Sequence, residues 1–278
     1  EYVAACLAGV FSLADALTIV AARARLIGGL PTGNMLAVLM SPEQVEARLG
    51  DGLWLACVNG SEACTISGTP AATRKLAGQL EQEGVDFQLL EGWPGSHSGL
   101  MEPILEEFRA VCAKLSLRPP SIPYLSNLSG DWISAEQATS PDYWVAHLRH
   151  TVQFGACLDE LMDNPGSRVF VEIGPGHTLA NLLRREAAAK GARQIATVTT
   201  MPRRDAAASG LDFLLGAVGQ LWSNGCAVDW DSFHAGERHG RIPLPTYPFE
   251  RKRYWIAPQQ RYMETPDAAG HAADAGAA

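Results

Sequence analysis

Within Met35 to Leu90, short apolar runs alternate with helical periods, and each change carries a turn signal. Met35 to Met40 reads as a strand, Pro42 to Leu49 as a helix, and Trp54 to Val58 and Cys64 to Ser67 as strands. Ala71 to Glu83 reads as a helix and Val85 to Leu90 as a strand, with Asp51-Gly52, Asn59-Gly60 and Ser67-Gly68 as separators. The order βαββαβ is that of a ferredoxin-like unit.

A second pattern lies further on. Arg168 to Ile173 reads as a buried strand, leading through Gly174-Pro175-Gly176 into a helix from Thr178 to about Lys190, and Gln194 to Val198 as another strand. Strand, glycine-rich turn, helix, strand is parallel α/β architecture. The turn matches neither a dinucleotide fingerprint nor a P-loop, so it reads as structural. Between the two patterns, Met101 to Leu115 reads as a helix with Pro103 in its first turn, Ile122 to Asn127 as a strand, and Val152 to Met162 as a helix. The fold class expected is therefore α/β, a parallel-sheet subdomain with an inserted ferredoxin-like subdomain. The expected parts are residues 1–32 and 91–200 for the larger subdomain and 33–90 for the smaller. A helix from Gly210 to Asn224 and a linker complete 201–256, and 257–278 reads as a disordered Ala/Gly-rich tail.

The chain opens on EYVAACLAGVFSLADAL. Gly9 reads as closing a first helix, and Ser12-x-x-Asp15 as capping a second. The first helix thus has an end but no visible start, which predicts a chain cut from a longer one. The run lacks a basic n-region and Asp15 interrupts it, so neither a signal peptide nor a membrane span is expected. A net charge of −8 without a basic, aromatic-interleaved cluster argues against nucleic acid. The six cysteines show no CxxC and no Cys/His ligand spacing, so no metal site is read; they fit reduced thiols in a cytoplasmic protein. RIPLPTYPFERKRYW, Arg241 to Trp255, is too rich in proline for regular structure and too apolar for a free linker, and is expected to lie extended against another surface.

Two side chains carry chemistry. From Leu13 to Leu30 a helical period of about 100° per residue puts Leu13, Ala16, Leu17, Ile19, Val20, Ala24, Leu26, Ile27 and Leu30 on one broad face, with Arg23 in its middle. A guanidinium there costs several kcal/mol unless something anionic meets it, so Arg23 marks an internal salt bridge, a snorkelling side chain or an anion site. His97, in GSHSGLMEP, stands just before a helix start, where the dipole should depress its pKa and favour the neutral base form. His177, after the GPG turn, has the same local case, so neighbouring residues alone do not separate the two.

A resemblance does. EYVAACLAGVFSLADAL resembles the segment that follows the GHSxG nucleophile elbow in malonyl-CoA:acyl carrier protein transacylases and in polyketide synthase acyltransferase domains. AARARLIGG, VNGSEACTISG, SHSGLMEP, YLSNLSGDW, YWVAHLRHTVQF and FVEIGPGHTLANLLRR are similar to that family's later motifs, in order. RIPLPTYPFERKRYW is similar to the linker after the acyltransferase of modular type I synthases. The resemblance runs from Glu1 to about Ile256 and implies a hydrolase-like larger subdomain, with the nucleophilic serine three residues before Glu1. It also implies that the first part of that subdomain and an oxyanion-hole glutamine lie outside the chain.

By the same resemblance His97 is the general base, Arg23 holds the free carboxylate of malonyl-type substrates, Gln153 offers a backbone carbonyl that orients the imidazole, and Asn59 and Ser96 neighbour the acyl site. No cofactor is implied; the substrates are an acyl-CoA and a phosphopantetheinylated acyl carrier protein, with an adjacent ketosynthase as a further partner. Pro94-Gly95-Ser96-His97 matches neither the YASH of methylmalonyl nor the HAFH of malonyl enzymes, but the small Ser96 favours methylmalonyl. Ile27-Gly28 departs from the Met-Gln usual after RxRL. Without its serine the chain alone is expected to be inactive. The alternatives are a scaffold segment that packs on a ketosynthase, and an acyl hydrolase of the same fold, which would have no use for Arg23.

Overall fold

The computed structural model describes residues 1–91, 94–163, 168–191, 195–204, 209–237 and 240–255. Residue contacts divide the chain into Glu1–Val228 and Asp229–Ala278. The expected tail, 257–278, lies outside the described residues.

In the first unit, helix α1 (Tyr2–Leu7) ends before Gly9, whose φ of 79° only glycine adopts without strain. Helix α2 (Leu13–Gly28) starts at Ser12, whose hydroxyl accepts from the Asp15 amide at 3.1 Å, as the capping pair predicts. Its buried face is narrower than its apolar face. Ala16, Ile19, Leu26 and Ile27 are buried, whereas Leu13 and Leu17 are 68% and 62% exposed and Val20 is also exposed. The expectation that all these residues share the core is corrected for a packing reason: α1 and the helical segments around Pro103 cover only one side of α2.

The βαββαβ order is realised as β1 (Asn34–Val38), α3 (Pro42–Glu46), β2 (Leu53–Gly60), β3 (Ala63–Gly68), α4 (Pro70–Glu83) and β4 (Phe87–Leu90). The strands form one antiparallel sheet in the order β2-β3-β1-β4. A Ser41/Gln44 capping box starts α3, while Thr69 caps α4 ahead of Pro70 and Gly84 ends it at φ 70°. Leu36, Ile66, Leu76 and Leu80 fill the space between sheet and helices, each worth about 1.5 to 3 kcal/mol of burial.

The expected helix from Met101 to Leu115 begins instead as a 3-10 turn, Gly99–Ile104, and becomes α5 only over Leu105–Cys112. Pro103 has no amide proton to donate, and the tighter winding accommodates it. Ile122 to Asn127 is not a strand; it makes one bridge, Leu125 to Trp132. Its amides are spent on a turn, Ser126 N donating to Asp131 O, and on the Glu1 carboxylate, which accepts from Asn127 N at 2.7 Å. Two helices unforeseen from the period follow, α6 (Ala135–Thr139) and α7 (Pro141–Arg149), and Trp144 of α7 is fully buried.

Helix α8 (Phe154–Asp163) precedes the parallel pair β5 (Val169–Pro175) and β6 (Ala196–Met201), joined through α9 (Thr178–Ala189). The Glu172 carboxylate accepts from the first-turn amides of Leu179 and Ala180 at 3.1 and 2.9 Å, so the end of α9 above the GPG turn is already satisfied. Strand β5 is not buried as expected: Val171 and Ile173 are exposed, because one face of the pair is uncovered. Glu186 of α9 reaches back to the β2–β3 turn, accepting from Ser61 N at 2.8 Å and Ser61 Oγ at 3.0 Å. Gly60 permits that approach, since a β carbon there would lie 2.6 Å from Glu186 Oε2. Helix α10 (Gly210–Ser223) packs on β6.

In the second unit, α11 (Trp230–Phe233) is followed by residues 240–255 without helix or strand, as three prolines dictate. Ile242, Leu244, Tyr247, Phe249, Tyr254 and Trp255 are exposed, so the described residues of this unit do not furnish the surface expected to cover them.

Candidate active site

The loop between β4 and the 3-10 turn delivers His97. It is pinned on both sides: Ser67 Oγ donates to the Ser96 carbonyl at 2.6 Å, Ser98 Oγ donates to the Gly95 carbonyl, and Ser98 caps the turn by accepting from Leu100 N at 3.2 Å. At Gly95 a β carbon would meet Leu100 Cδ1 at 2.5 Å, so a side chain there would force that methyl to shift. Among the described residues His97 alone, glycine apart, has positive φ, at 57°. That backbone costs about 1 to 2 kcal/mol and is held by the surrounding bonds.

His97 Nδ1 lies 3.0 Å from the carbonyl oxygen of His150, the residue that ends α7. A carbonyl can only accept, so Nδ1 carries the proton and Nε2 keeps its lone pair. The pKa is pushed down to about 4, by burial first and then by the electrostatic effect of His147 and Arg23, against the raising effect of the backbone bonds at His150 and His147. The direction agrees with the sequence argument, but the cause is burial and those two neighbours rather than a helix dipole.

Gln153 does not play the part expected of it. Its carbonyl accepts from Cys157 N at 3.1 Å in the first turn of α8, which leaves His150 to orient the imidazole. A backbone acceptor is supplied by whichever residue the turn after α7 brings near, and no side chain announces it.

Arg23 projects from α2 with its buried Nε unbonded and its guanidinium carbon 5.9 Å from the Tyr2 ring centroid. Among the described residues no carboxylate pairs with it, so the internal salt bridge is not what accounts for a cation here. Arg23 and His97 instead line one cavity of about 600 Å³, with Ser96, Ile27, Met35 and Cys57 in its wall. Gly28 also borders it, so the Ile27-Gly28 departure falls at the cavity wall.

Asn59 is not among the residues that line this cavity. It borders other clefts, and its Nδ2 donates at 3.1 Å to Oγ1 of Thr65, the cross-strand partner of Cys57, where the register of β2 slips between Val58 and Gly60. Met35 and Cys57 were not singled out from the sequence. Their only signal is an apolar side chain on a strand.

A sequence model described as the acyl transferase domain matches residues 1–227. Phenolphthiocerol synthesis polyketide synthase type I Pks15/1 of Mycobacterium marinum is 38% identical over 93% of the chain, which spans 12% of that protein. Polyketide synthase GfsA of Streptomyces halstedii is 39% identical over 92% of the chain, which spans 3% of it. Among solved structures, the acyl transferase domain of SpnD, in complex with 2-(pent-4-yn-1-yl)malonyl, is 42% identical at a TM-score of 0.76. That similarity covers 81% of this chain and 54% of the other. The acyl transferase domain of ZmaA gives 37% and 0.79, covering 88% and 56%. The chain therefore spans little more than half of these solved domains. With its α/β fold, the chain belongs to the acyl transferase domain family of polyketide synthases.

Proposed function

We propose that these residues supply the base and the carboxylate clamp of a polyketide synthase acyltransferase, which moves an extender acyl group from coenzyme A to a serine and on to an acyl carrier protein. The observation that carries this reading is the meeting of His97 and Arg23 in one cavity. His97 Nε2 takes the serine hydroxyl proton as the oxygen attacks the thioester carbonyl, and the departing coenzyme A thiolate takes that proton when the tetrahedral intermediate collapses. In the second half the same nitrogen takes the proton of the phosphopantetheine thiol, sulfur attacks the serine ester, and the proton returns to the serine oxygen. Arg23 binds the free carboxylate of the acyl group and so selects dicarboxylic units over plain ones.

Small Ser96 in the cavity wall leaves room for an α-branch and favours methylmalonyl over malonyl. SpnD, solved with a 2-substituted malonyl group, supports room for such a branch. The partners are the carrier protein and a neighbouring ketosynthase, and the setting is the cytoplasm. No helix among the described residues is long and apolar enough to cross a membrane.

The test uses a domain of the length of the solved relatives, exposed to equal malonyl- and methylmalonyl-CoA and read by intact mass beside Arg23→Ala. A methylmalonyl adduct lost in the variant supports the whole reading, and a malonyl adduct corrects the extender. No adduct from either thioester removes the catalytic reading in favour of a scaffold.

A further inference from the structure

A second histidine stands behind the first. His147, in the last turn of α7, is 7% exposed, and its ring meets that of His97 edge to face at 6.0 Å between centroids and 84° between planes. Its Nε2 lies 3.3 Å from Glu1 Oε2. The Glu1 side chain is 1% exposed, accepts from Asn127 N at 2.7 Å, and also accepts from the Tyr143 hydroxyl. That hydroxyl lies against Ser126 Oγ as well.

Burial alone would push the Glu1 carboxyl up, but His147, within ion-pair distance although neither of its ring nitrogens makes a hydrogen bond among the described residues, together with the bonds from Tyr143 and Asn127, brings it below the ordinary value. Other charged or titratable groups surround the pair. Tyr2 of α1 packs edge-on to His147 at 5.3 Å with Arg23 over its ring, Cys157 and Tyr124 border the Glu1 side, and Arg149 on the same turn of α7 pairs with Glu102 at 2.8 Å.

Packing does not require this arrangement. A buried carboxylate and imidazole are harder to accommodate than apolar side chains of the same volume, and replacing such a pair by hydrophobic residues is often neutral or stabilising. What the pair does provide is two fixed directions. Glu1 holds α7 against α1, and three residues beyond His147 the same turn presents the His150 carbonyl to His97 Nδ1. The ring of His147, edge to face with that of His97, meanwhile limits the tilt of the His97 ring.

We propose that His147 is a positioning residue for the base: clamped by Glu1, it sets the ring plane of His97 and the place of the carbonyl that keeps the His97 proton on Nδ1. The inference rests on the reading of His97 as general base. It assigns no proton transfer to His147.

The test compares the acyltransferase domain with its His147→Leu and Glu1→Gln variants by single-turnover acylation across pH, thermal midpoint, and nitrogen-15 NMR of the His97 ring. In His147→Leu the acylation rate should fall on the order of 10-fold to 100-fold with KM for the acyl-CoA nearly unchanged. The low-pH limb should move up, because the electrostatic effect by which His147 opposes protonation of His97 has gone. Glu1→Gln should move rate and limb the same way by less, and His147→Gln, whose amide can still donate to Glu1, should recover part of the rate. A lower thermal midpoint with unchanged rate, pH limb and His97 spectrum would overturn the proposal and leave His147 a packing residue. If the unmutated domain loads no acyl group, the function proposed above fails, but the spectrum still decides here: an unaltered Nδ1-protonated ring in both variants refutes the positioning role, and a lost or mixed tautomer upholds it.

Discussion

His97 and His177 begin from the same local chemistry. Each follows a glycine-containing turn and stands at the entrance to a helical segment. Their surroundings then diverge. His97 is held at φ 57°, its Nδ1 bonded to a carbonyl brought from 53 residues away, and it shares a cavity with Arg23, which no carboxylate pairs among the described residues. His177 has φ −150°, makes no capping bond, and heads a helix whose free amides are occupied by Glu172. A helix entrance is thus a weak signal of catalysis, because one carboxylate on the preceding strand can use up what it offers.

The largest test of that contrast is substitution of the two histidines in a domain of the relatives' length. His97→Ala should lower single-turnover acylation about 10²-fold to 10⁴-fold, the range for removing a general base, while His177→Ala should change it by less than about twofold. Equal losses would erase the distinction. Next comes Arg23→Ala, expected to reduce kcat/KM for a malonyl-type thioester by roughly 10-fold to 100-fold, the worth of a charged hydrogen bond, while barely affecting acetyl-CoA. A uniform loss for both thioesters would mean that Arg23 supports the fold rather than the carboxylate.

The pH dependence sharpens the comparison further. With His97 pushed down to about 4, acylation should stay level from neutrality to about pH 5 and fall about tenfold per unit below pH 4. The unfolded chain, with an imidazole near 6.5, binds that proton more readily. The stability that a neutral His97 contributes is therefore complete above about pH 6.5 and is lost as pH falls through 6.5 toward 4. His97→Gln should flatten that window in a denaturation series, and an unchanged slope would place the titration elsewhere. The smallest effect expected is at the other turn: Glu172→Ala removes the acceptor for two α9 amides and should cost about 1 kcal/mol of stability, with His177→Ala within about 0.5 kcal/mol.

Local pattern was enough for much of the architecture. The four strands and two helices from β1 to β4 and the strand-turn-helix-strand of β5, α9 and β6 were legible because their apolar periods and turn residues are set within a few positions of one another. Helices α6 and α7 were not read, although Ser134/Gln137 forms a capping box and Ser140-Pro141 opens α7. Five and nine residues are too few turns for a helical period to stand out.

His97 and Arg23 were marked by chemistry that strains against its neighbours: an imidazole between two serines and a guanidinium on an apolar face. Their convergence, the choice of the His150 carbonyl over that of Gln153, the bond of Asn59 to Thr65, and the pairing of Glu1 with His147 were set in three dimensions. Backbone carbonyls are chemically alike at every residue, and a one-residue slip in β2 shifts what each side chain can reach. Which group meets which therefore depends on how α7, the β4 loop and α2 pack, a question of distance across the core rather than of order along the chain.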